Sequence, residues 1–204
     1  MFEGNPLSND HFRAQFTALK EQISPHFLFN SLSVLSSLVR KDPDLSERFI
    51  DHLARVYRYL LEHRDDEHIT LATELDFARS FAFLQEVRFV RKFRVQFPDL
   101  SAIAAYTLLP FTLQLLIENA IRHNRMSASE PLVITIAVEN DQYLRVSNNR
   151  QLRTQPDTLT SGQTSRSLAS IRQRYAMLTG LPVLVDDADD NFFTVRIPLL
   201  KATR

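Results

Sequence analysis

The sequence contains no cysteine, and only three of its 204 residues are glycine. Without cysteine, neither a disulfide nor a thiolate-bound metal can form, and such a chain suits a reducing compartment. The formal net charge is zero, because 24 basic residues balance 24 acidic ones. Binding to nucleic acid or to an anionic membrane needs a cationic surplus, so neither is expected as the main partner.

Long hydrophobic runs are also scarce. No basic segment leads into an apolar run after Met1, so we expect no signal peptide. One stretch, residues 100–117, has no charge, but it contains polar side chains and Pro110 lies in its middle. A strand or loop that ends before Pro110, followed by a helix with this proline in its first turn, explains the stretch better than a membrane span. We therefore expect a cytoplasmic location, or the cytoplasmic side of the inner membrane if the chain is part of a longer protein.

The N-terminal part predicts a helical hairpin. The hydrophobic content of 44% is typical of a globular protein. Residues 12–40 carry apolar side chains at helical spacing over a wide surface, a break follows at 41–44, and a second helical pattern covers 45–60. A lone hairpin leaves an apolar face uncovered, so we expect two copies to form a four-helix bundle. The polar segment 63–68 predicts a linker that ends a first domain at 1–68.

The second predicted domain, 69–204, mixes helical and strand patterns. Helices are predicted at 71–90, 110–123 and 168–178, and strands at 93–97, 132–138, 143–146, 182–185 and 192–197. The polar segment 150–166 is predicted to be irregular, and turns at 140–141 and 186–191 predict two hairpins. The fold class is therefore α+β: a helical bundle, then an α/β sandwich with helices on one face of a mixed, mostly antiparallel sheet.

His26, in the segment QISPHFLFNSL, is the first candidate for chemistry. A histidine on a helix with apolar neighbours is more often a core residue with hydrogen-bonded nitrogens, and Gln22 and Asn30 share its helical face. Pro25 precedes it inside the predicted helix, where proline removes a hydrogen bond and produces a kink. A kink would expose the ring, and an exposed neutral imidazole is a nucleophile near pH 7. On the residues alone, both interpretations stay open.

The segment LPFTLQLLIENAIRHN is the second candidate, because polar side chains crowd one side of an otherwise apolar helix. They are Glu118, Asn119, Arg122 and His123. A helix that turns polar as it leaves the core would have the same pattern. In the functional alternative, the Asn119 carbonyl suits Mg²⁺ and the Glu118 carboxylate orients or deprotonates a nucleophile. Arg122 and His123 would then contact phosphate.

Both segments resemble motifs of one family. LKEQISPHFLFNSL is similar to the phosphoacceptor motif of LytS/YehU-type sensor histidine kinases, and LPFTLQLLIENAIRH resembles the N box of their ATP-binding domain. FLQEVRF and the order of the later elements also fit, so the resemblance covers roughly 19–199. It implies a homodimeric bundle followed by an ATP-binding domain of the Bergerat (GHKL) fold, with ATP and Mg²⁺ as cofactors.

The resemblance also implies roles for particular residues. His26 would accept the γ-phosphoryl group of ATP and pass it to an aspartate on the receiver domain of a response regulator, expected to be of the LytTR type. Asn119 would bind Mg²⁺, Glu118 would assist at the nucleophile, and Arg122 and His123 would lie near the phosphates. In the usual architecture a membrane sensor precedes such a core, and it would lie outside this chain.

Two segments depart from the family pattern. VSNNR, at 146–150, stands where the family has Asp-Asn-Gly, so Asn148 takes the place of the aspartate that accepts from adenine, with Asn149 beside it. An amide oxygen still accepts such a bond. In the lid, TSRSL at 164–168 matches Thr-Gly-Ile-Gly-Leu, so Ser165 and Ser167 replace both glycines next to Thr164.

The lid departure leaves two functions open. Glycine permits a left-handed backbone and lets amides approach phosphate closely, whereas serine caps helices well. In the first interpretation, Thr164, Ser165 and Ser167 still bind nucleotide and the protein is an active protein-histidine kinase. In the second, it is a catalytically weak or inactive dimeric signalling scaffold that keeps the fold.

Overall fold

The computed structural model describes residues 25–99, 106–151 and 161–201. They belong to two compact units that divide between Ile50 and Asp51. The functional boundary between 68 and 69 stays a prediction. The described elements are α1 (Pro25–Leu38), α2 (Pro43–Glu62), β1 (Ile69–Thr70), α3 (Leu71–Arg88), β2 (Phe93–Gln96), β3 (Tyr106–Leu108), α4 (Thr112–His123), β4 (Leu132–Glu139), β5 (Tyr143–Asn149), α5 (Ser161–Thr179), β6 (Leu184–Asp186), β7 (Phe192–Pro198) and β8 (Leu200–Lys201).

In the first unit, α1 and the start of α2 confirm the predicted pair of helices. α1 is described from Pro25 onward, and residues 12–24 of the predicted helix lie outside the described residues. The Asp42 carboxylate accepts the N–H of Leu45 at 2.9 Å, which satisfies a first-turn donor of α2. The break between the helices is thus fixed by a side-chain cap.

The second unit is built around a five-stranded sheet in the order β2-β4-β5-β7-β6. β2 runs parallel to β4, and the other neighbours are antiparallel. Alternate residues of β4, Leu132, Ile134 and Ile136, are buried. α3 contacts β2 and α4, and α4 in turn contacts β4 and α5. The predicted α/β sandwich with a mixed, mostly antiparallel sheet is therefore confirmed.

Both predicted hairpins are present. In the β4–β5 turn, Asn140 and Asp141 have φ of 53°. The N–H of Gln142 donates to the carbonyl of Glu139 at 3.1 Å, which closes the turn. Two consecutive residues with positive φ give the backbone twist that a tight hairpin needs, and Asn and Asp tolerate it. The second hairpin joins β6 to β7, with Val185 opposite Val195.

A three-stranded sheet, in the order β1-β3-β8, was not predicted. Its strands are two or three residues long, too short for a period-two pattern to show in the sequence. A strand or loop was expected to end before Pro110, and β3, which ends at Leu108, shows that it is a strand. However, α4 begins at Thr112, so Pro110 precedes the helix and does not lie in its first turn as predicted.

The start of α5 also differs from the prediction. The helix begins at Ser161, so the expectation of an irregular segment through residue 166 was wrong. Beyond Gly162, no glycine or proline interrupts the helix before its end, and serine and threonine tolerate helical dihedrals. Gly180, with φ of 66°, follows the last helical residue and confirms the predicted C-terminal stop. None of the described helices is long and apolar enough to cross a bilayer.

The buried face of β4 leads to a first prediction. Ile134 is 0% exposed, so Ile134→Ala removes buried apolar atoms and leaves a cavity. We expect the free energy of unfolding to fall by about 2–5 kcal/mol in urea denaturation. Arg145→Ala on the neighbouring strand, where the side chain is half-buried, should cost about 0.5 kcal/mol or less. Equal losses in the two variants would contradict this assignment of the core.

Candidate functional site

Asn119, on α4, is the polar residue with the most informative environment. Its amide oxygen Oδ1 is buried and accepts no hydrogen bond within the described part of the chain. A buried acceptor without a partner costs free energy, and a ligand, an ion or a water would satisfy it. An amide oxygen is a ligand that Mg²⁺ accepts. The residue therefore fits a magnesium-binding role.

The other polar residues of α4 flank Asn119. Gln114, one helical turn before Glu118, donates from Nε2 to the Glu118 Oε1 at 3.0 Å and so orients the carboxylate. Arg122 and His123 lie in the last turn, where a positive charge interacts favourably with the helix dipole. The helix thus brings all four predicted residues to its C-terminal half. Their spacing alone also fits a helix that becomes polar at its end.

The two asparagines of β5 differ in their hydrogen bonds. Asn148 is buried, and its Nδ2 donates to the carbonyl of Asn149 at 2.8 Å. The Asn149 side chain spans to β4: its Oδ1 accepts the N–H of Val133 at 2.8 Å, and its Nδ2 donates to the Pro131 carbonyl at 3.0 Å. Both ends of the Asn149 amide are therefore engaged in holding the two strands together.

Asn124, which directly follows α4, links the two groups of predicted residues. Its Nδ2 donates to the Ala120 carbonyl at 2.9 Å, and its Oδ1 accepts the N–H of Gln151 at 2.8 Å. The N–H of Arg125 donates to the Gln151 carbonyl at 2.7 Å. These bonds tie the end of α4 to the segment that follows β5. The helix with Asn119 and the strand with Asn148 are thus held next to each other.

The start of α4 is held by a residue that the sequence analysis missed. Glu74, on α3, is 0% exposed, and its carboxylate accepts the N–H groups of Phe111 at 3.2 Å and Leu113 at 2.8 Å. The Tyr59 hydroxyl donates to the same carboxylate. Phe111 precedes α4 with a left-handed φ of 65° and supplies no side-chain cap. Glu74 therefore caps α4 from another helix.

A signal for Glu74 was present in the sequence. It shares the helical stripe of Leu71, Leu75 and Ala78, all of them buried, so an acidic residue occupies a core position of α3. Acidic residues are rarely buried unless they are paired. The periodicity alone did not identify the partners, because the segment that Glu74 contacts lies far away in the sequence.

Burial dominates the electrostatics around Glu74. It raises the pKa of the Glu74 carboxyl to about 7, although the hydrogen bonds from Tyr59, Leu113 and Phe111 and the charge of Arg174 lower it. Burial, followed by the Glu74 carboxylate, raises the pKa of Tyr59 above its ordinary value. The tyrosine therefore remains a hydrogen-bond donor over the physiological range of pH.

α5 contacts the same segment, residues 109–113, from another direction. The Tyr175 hydroxyl accepts the N–H of Leu109 at 3.2 Å, and Arg174 donates to the Pro110 carbonyl at 3.3 Å. Thr112 donates from its hydroxyl to the Leu109 carbonyl at 2.7 Å. The backbone of the 109–113 segment is thus bound by side chains of α3 and α5, and the Tyr59 ring of α2 packs against the Phe111 ring.

The remaining predicted residues lie on two other helices. Thr164, Ser165 and Ser167 are in α5 and His26 is in α1, and their side chains lie outside the described part of the structure. In an α-helix only the N–H groups of the first turn lack an intrahelical acceptor. The amides of Ser165 and Ser167 lie beyond that turn of α5, so they donate to carbonyls of the same helix. In a glycine-rich loop, such amides could donate to a phosphate.

Residues 14–93 match the sequence profile of the family described as Histidine kinase, and the curated proteins of similar sequence are sensor proteins and sensor histidine kinases. The chain belongs to the histidine kinase family.

This histidine kinase chain is 28% identical to the sensor protein LytS of Enterococcus faecalis over 178 residues, which are 82% of the chain and 30% of LytS. It is 35% identical to the sensor histidine kinase YpdA of Escherichia coli over 126 residues, 62% of the chain and 22% of YpdA. The chain thus spans less than a third of these relatives. The Acinetobacter baumannii histidine kinase AdeS aligns with a TM-score of 0.41 and 15% identity, over 92% of this chain and 96% of that one.

The raised pKa of Glu74 leads to a prediction about the stability of this histidine kinase. Its folded-state pKa of about 7 lies above the ordinary value of 4.5, so the native state binds this proton more tightly than the unfolded chain. The contribution to stability is therefore greatest below pH 4.5 and is lost as the pH rises towards 7. We expect the unfolding free energy of the parent, relative to that of Glu74→Gln, to decrease over this range in urea titrations.

The matched control for this titration is Glu86→Gln. Glu86 lies on the same helix and accepts the N–H of Val95 at 3.0 Å, outside the 109–113 segment. In the Glu86→Gln background, adding Glu74→Gln should change the unfolding free energy with the same pH dependence as it does in the parent. Parallel pH profiles for the parent and Glu74→Gln would show that Glu74 titrates alike in the folded and unfolded chain.

Proposed function

We propose that this chain is the kinase core of a sensor histidine kinase, which phosphorylates His26 from ATP and passes the phosphoryl group to an aspartate of a response regulator. The buried Asn119 oxygen, which has no donor among the residues that the structure describes, carries the proposal, because it lies in the segment that resembles the N box. Family membership supports the reaction class. The relatives named as sensors support the two-component context.

In this proposal, α4 carries the residues for the phosphate end of Mg·ATP. Asn119 would hold Mg²⁺ through Oδ1, and the cation would neutralise charge on the phosphates. Glu118, oriented by Gln114, would assist at the nucleophile. Arg122 and His123 would contact phosphate oxygens, where the charge-assisted bonds of a guanidinium are strong.

The end of β5 would bind the adenine ring of ATP. Asn148 would accept from the adenine amino group through its amide oxygen, without the charge of an aspartate. Asn149 would belong to the same site by holding the end of β5 against β4, because its amide binds Val133 of β4 and Pro131, which directly precedes that strand. On α5, Thr164, Ser165 and Ser167 would contribute hydroxyl groups to the lid.

The chemistry at His26 is a single displacement. An unprotonated imidazole nitrogen would form a bond to the γ-phosphorus as the bond from that phosphorus to the β–γ bridging oxygen breaks and ADP leaves. The proton on the other ring nitrogen is then released to solvent. Because little covalent chemistry falls to the protein, positioning and charge neutralisation provide most of the rate.

A homodimer fits the surface of the first unit. Phe29, Leu32, Val39 and Ile50 are large apolar residues of α1, α2 and their connection, and each is about half exposed or more. Apolar surface of this kind on a helical hairpin needs a partner, and a second copy would complete a four-helix bundle. The other partners that we propose are a LytTR-type response regulator and a sensor region outside this chain, with the kinase core on the cytoplasmic side of the membrane.

A second candidate function follows from α5. Because the helix runs through residues 164–168, the amides that would meet phosphate in a glycine-rich lid are engaged within the helix. This favours a dimeric signalling scaffold that has weak or no ATP turnover. The two candidates differ in whether the folded protein binds Mg·ATP.

Calorimetric titration with Mg·ATP, followed by acid-labile ³²P incorporation, tests the kinase proposal. Asn119→Ala should weaken Mg·ATP binding at least about tenfold, since it removes a ligand of the cation, while Asn140→Gly in the distant β4–β5 turn should not. His26→Gln should abolish the label, and His68→Gln in the polar linker should retain it. No binding at millimolar ATP by a folded dimer would leave the scaffold.

Introducing glycine at the two serine positions of the proposed lid gives a further prediction. The pair Ser165→Gly and Ser167→Gly should weaken the start of α5 by about 0.5 kcal/mol per residue relative to serine and free backbone amides for phosphate. We expect tighter Mg·ATP binding than in the parent, measured by calorimetry with circular dichroism for helix content. Ser165→Ala with Ser167→Ala preserves the helix and should not tighten binding, and Ser170→Gly controls for general loosening of α5. Equal affinity for Mg·ATP in the glycine and alanine pairs would show that the helical backbone at residues 165–167 does not limit nucleotide binding.

A further inference from the structure

Three helices meet at the 109–113 segment, and Glu74 is the residue that connects them. Its carboxylate accepts from the amides of Phe111 and Leu113, and so determines where α4 begins. The same carboxylate accepts from the hydroxyl of Tyr59 on α2. A single buried group thus joins α2 and α3 to the start of the helix that carries Asn119.

Within the described part of the chain, the residue that precedes α4 offers no side-chain cap in place of Glu74. Phe111 has an apolar side chain and a left-handed backbone, which is unfavourable for a residue other than glycine. Residues in such conformations persist only where the surroundings hold them. On one side, the two hydrogen bonds from backbone amides to Glu74 supply that constraint. On the other side, Tyr175 and Arg174 of α5 supply it through their hydrogen bonds with Leu109 and Pro110.

Tyr59 contacts the junction with its ring as well as its hydroxyl. The ring stacks on Phe77 of α3, with centroids 3.9 Å apart and planes 9° apart. It also meets the edge of Phe111, with centroids 5.5 Å apart at 87°. Because Tyr59 lies near the end of α2, a displacement of that end would change both the aromatic contacts and the hydrogen bond to Glu74.

We propose that Glu74 is a positioning residue for nucleotide binding, and that Tyr59 makes the start of α4 depend on the position of α2. The inference rests on the proposed kinase function, because it assigns Asn119 to the nucleotide. In this proposal the 109–113 segment has two arrangements: one in which the amides of Phe111 and Leu113 donate to the Glu74 carboxylate held by Tyr59, and one in which they do not. A device of this kind would connect the end of α2 to Mg·ATP binding without contacting the ligand.

Hydrogen exchange and nucleotide affinity together test the proposal. Four variants of the whole chain suffice: Glu74→Leu, which removes the acceptor at similar volume; Glu74→Gln, which keeps one acceptor oxygen; Tyr59→Phe, which removes only the hydroxyl; and Glu86→Gln as the control on α3. The exchange rates of the Phe111 and Leu113 amides are measured in the nucleotide-free protein by NMR. The Kd for Mg·ATP is measured by calorimetry.

We expect exchange at Phe111 and Leu113 to accelerate at least about tenfold in Glu74→Leu, with partial rescue in Glu74→Gln and a smaller acceleration in Tyr59→Phe. Amides of the β4–β5 hairpin should keep their rates, since a merely structural loss would accelerate both regions. The Kd for Mg·ATP should rise about tenfold in Glu74→Leu and less in Tyr59→Phe. Glu86→Gln should match the parent in both measurements.

The outcomes separate the inference from the function on which it rests. Unchanged exchange at Phe111 and Leu113 in Glu74→Leu overturns the positioning role, whatever the protein binds. Accelerated exchange with an unchanged Kd also overturns it, because the start of α4 would then not matter for nucleotide. If the parent binds no Mg·ATP, the proposed function fails and the positioning role for nucleotide fails with it, while the exchange rates still decide whether Tyr59 and Glu74 couple α2 to α4.

Discussion

The second unit depends on one buried carboxylate. Moving an acidic group out of water is costly, and the molecule offsets that cost at Glu74 with two backbone amides, the Tyr59 hydroxyl and the nearby charge of Arg174. These partners come from α2, the start of α4 and α5, so satisfying one side chain fixes the relation of several elements. The positions of Asn119 and Glu118 depend on this arrangement, because both residues lie on the helix that Glu74 caps.

Much of the architecture was predictable because its signals are local. Asn140 and Asp141 tolerate the positive φ that their hairpin requires, and the alternating residues of β4 are apolar on the side that is buried. The three-stranded sheet was not predictable, since strands of two or three residues have no period. The candidate site was predicted in part: the polar residues of α4 were found from their pattern and a family resemblance, whereas Glu74 and Asn124 act through partners distant in sequence that no periodicity reveals.

The lid shows how the scarcity of glycine affects the fold and the candidate chemistry together. With serine at 165 and 167, the chain continues as helix where a flexible backbone was expected from the family. Because the helix begins at Ser161, the amides of Ser165 and Ser167 lie beyond its first turn and form intrahelical hydrogen bonds, so they are not available to an anion. The same substitution therefore favours order in the protein and weakens the case for tight phosphate binding. In the proposed kinase function, the backbone of α5 would determine how tightly this chain binds the phosphates of ATP.

The order of strands in the large sheet also has a consequence for how the domain forms. β4 and β5 are neighbours in sequence and can pair early, whereas β2 pairs with β4 only across α4, and β7 pairs with β5 only across α5. Contacts between distant segments form late because their loop-closure entropy must be overcome first. During synthesis, β5 therefore presents an unpaired edge until β7 has emerged. A chain that stops before residue 192 would keep that edge open, so self-association through β5 is the characteristic hazard of a truncated product.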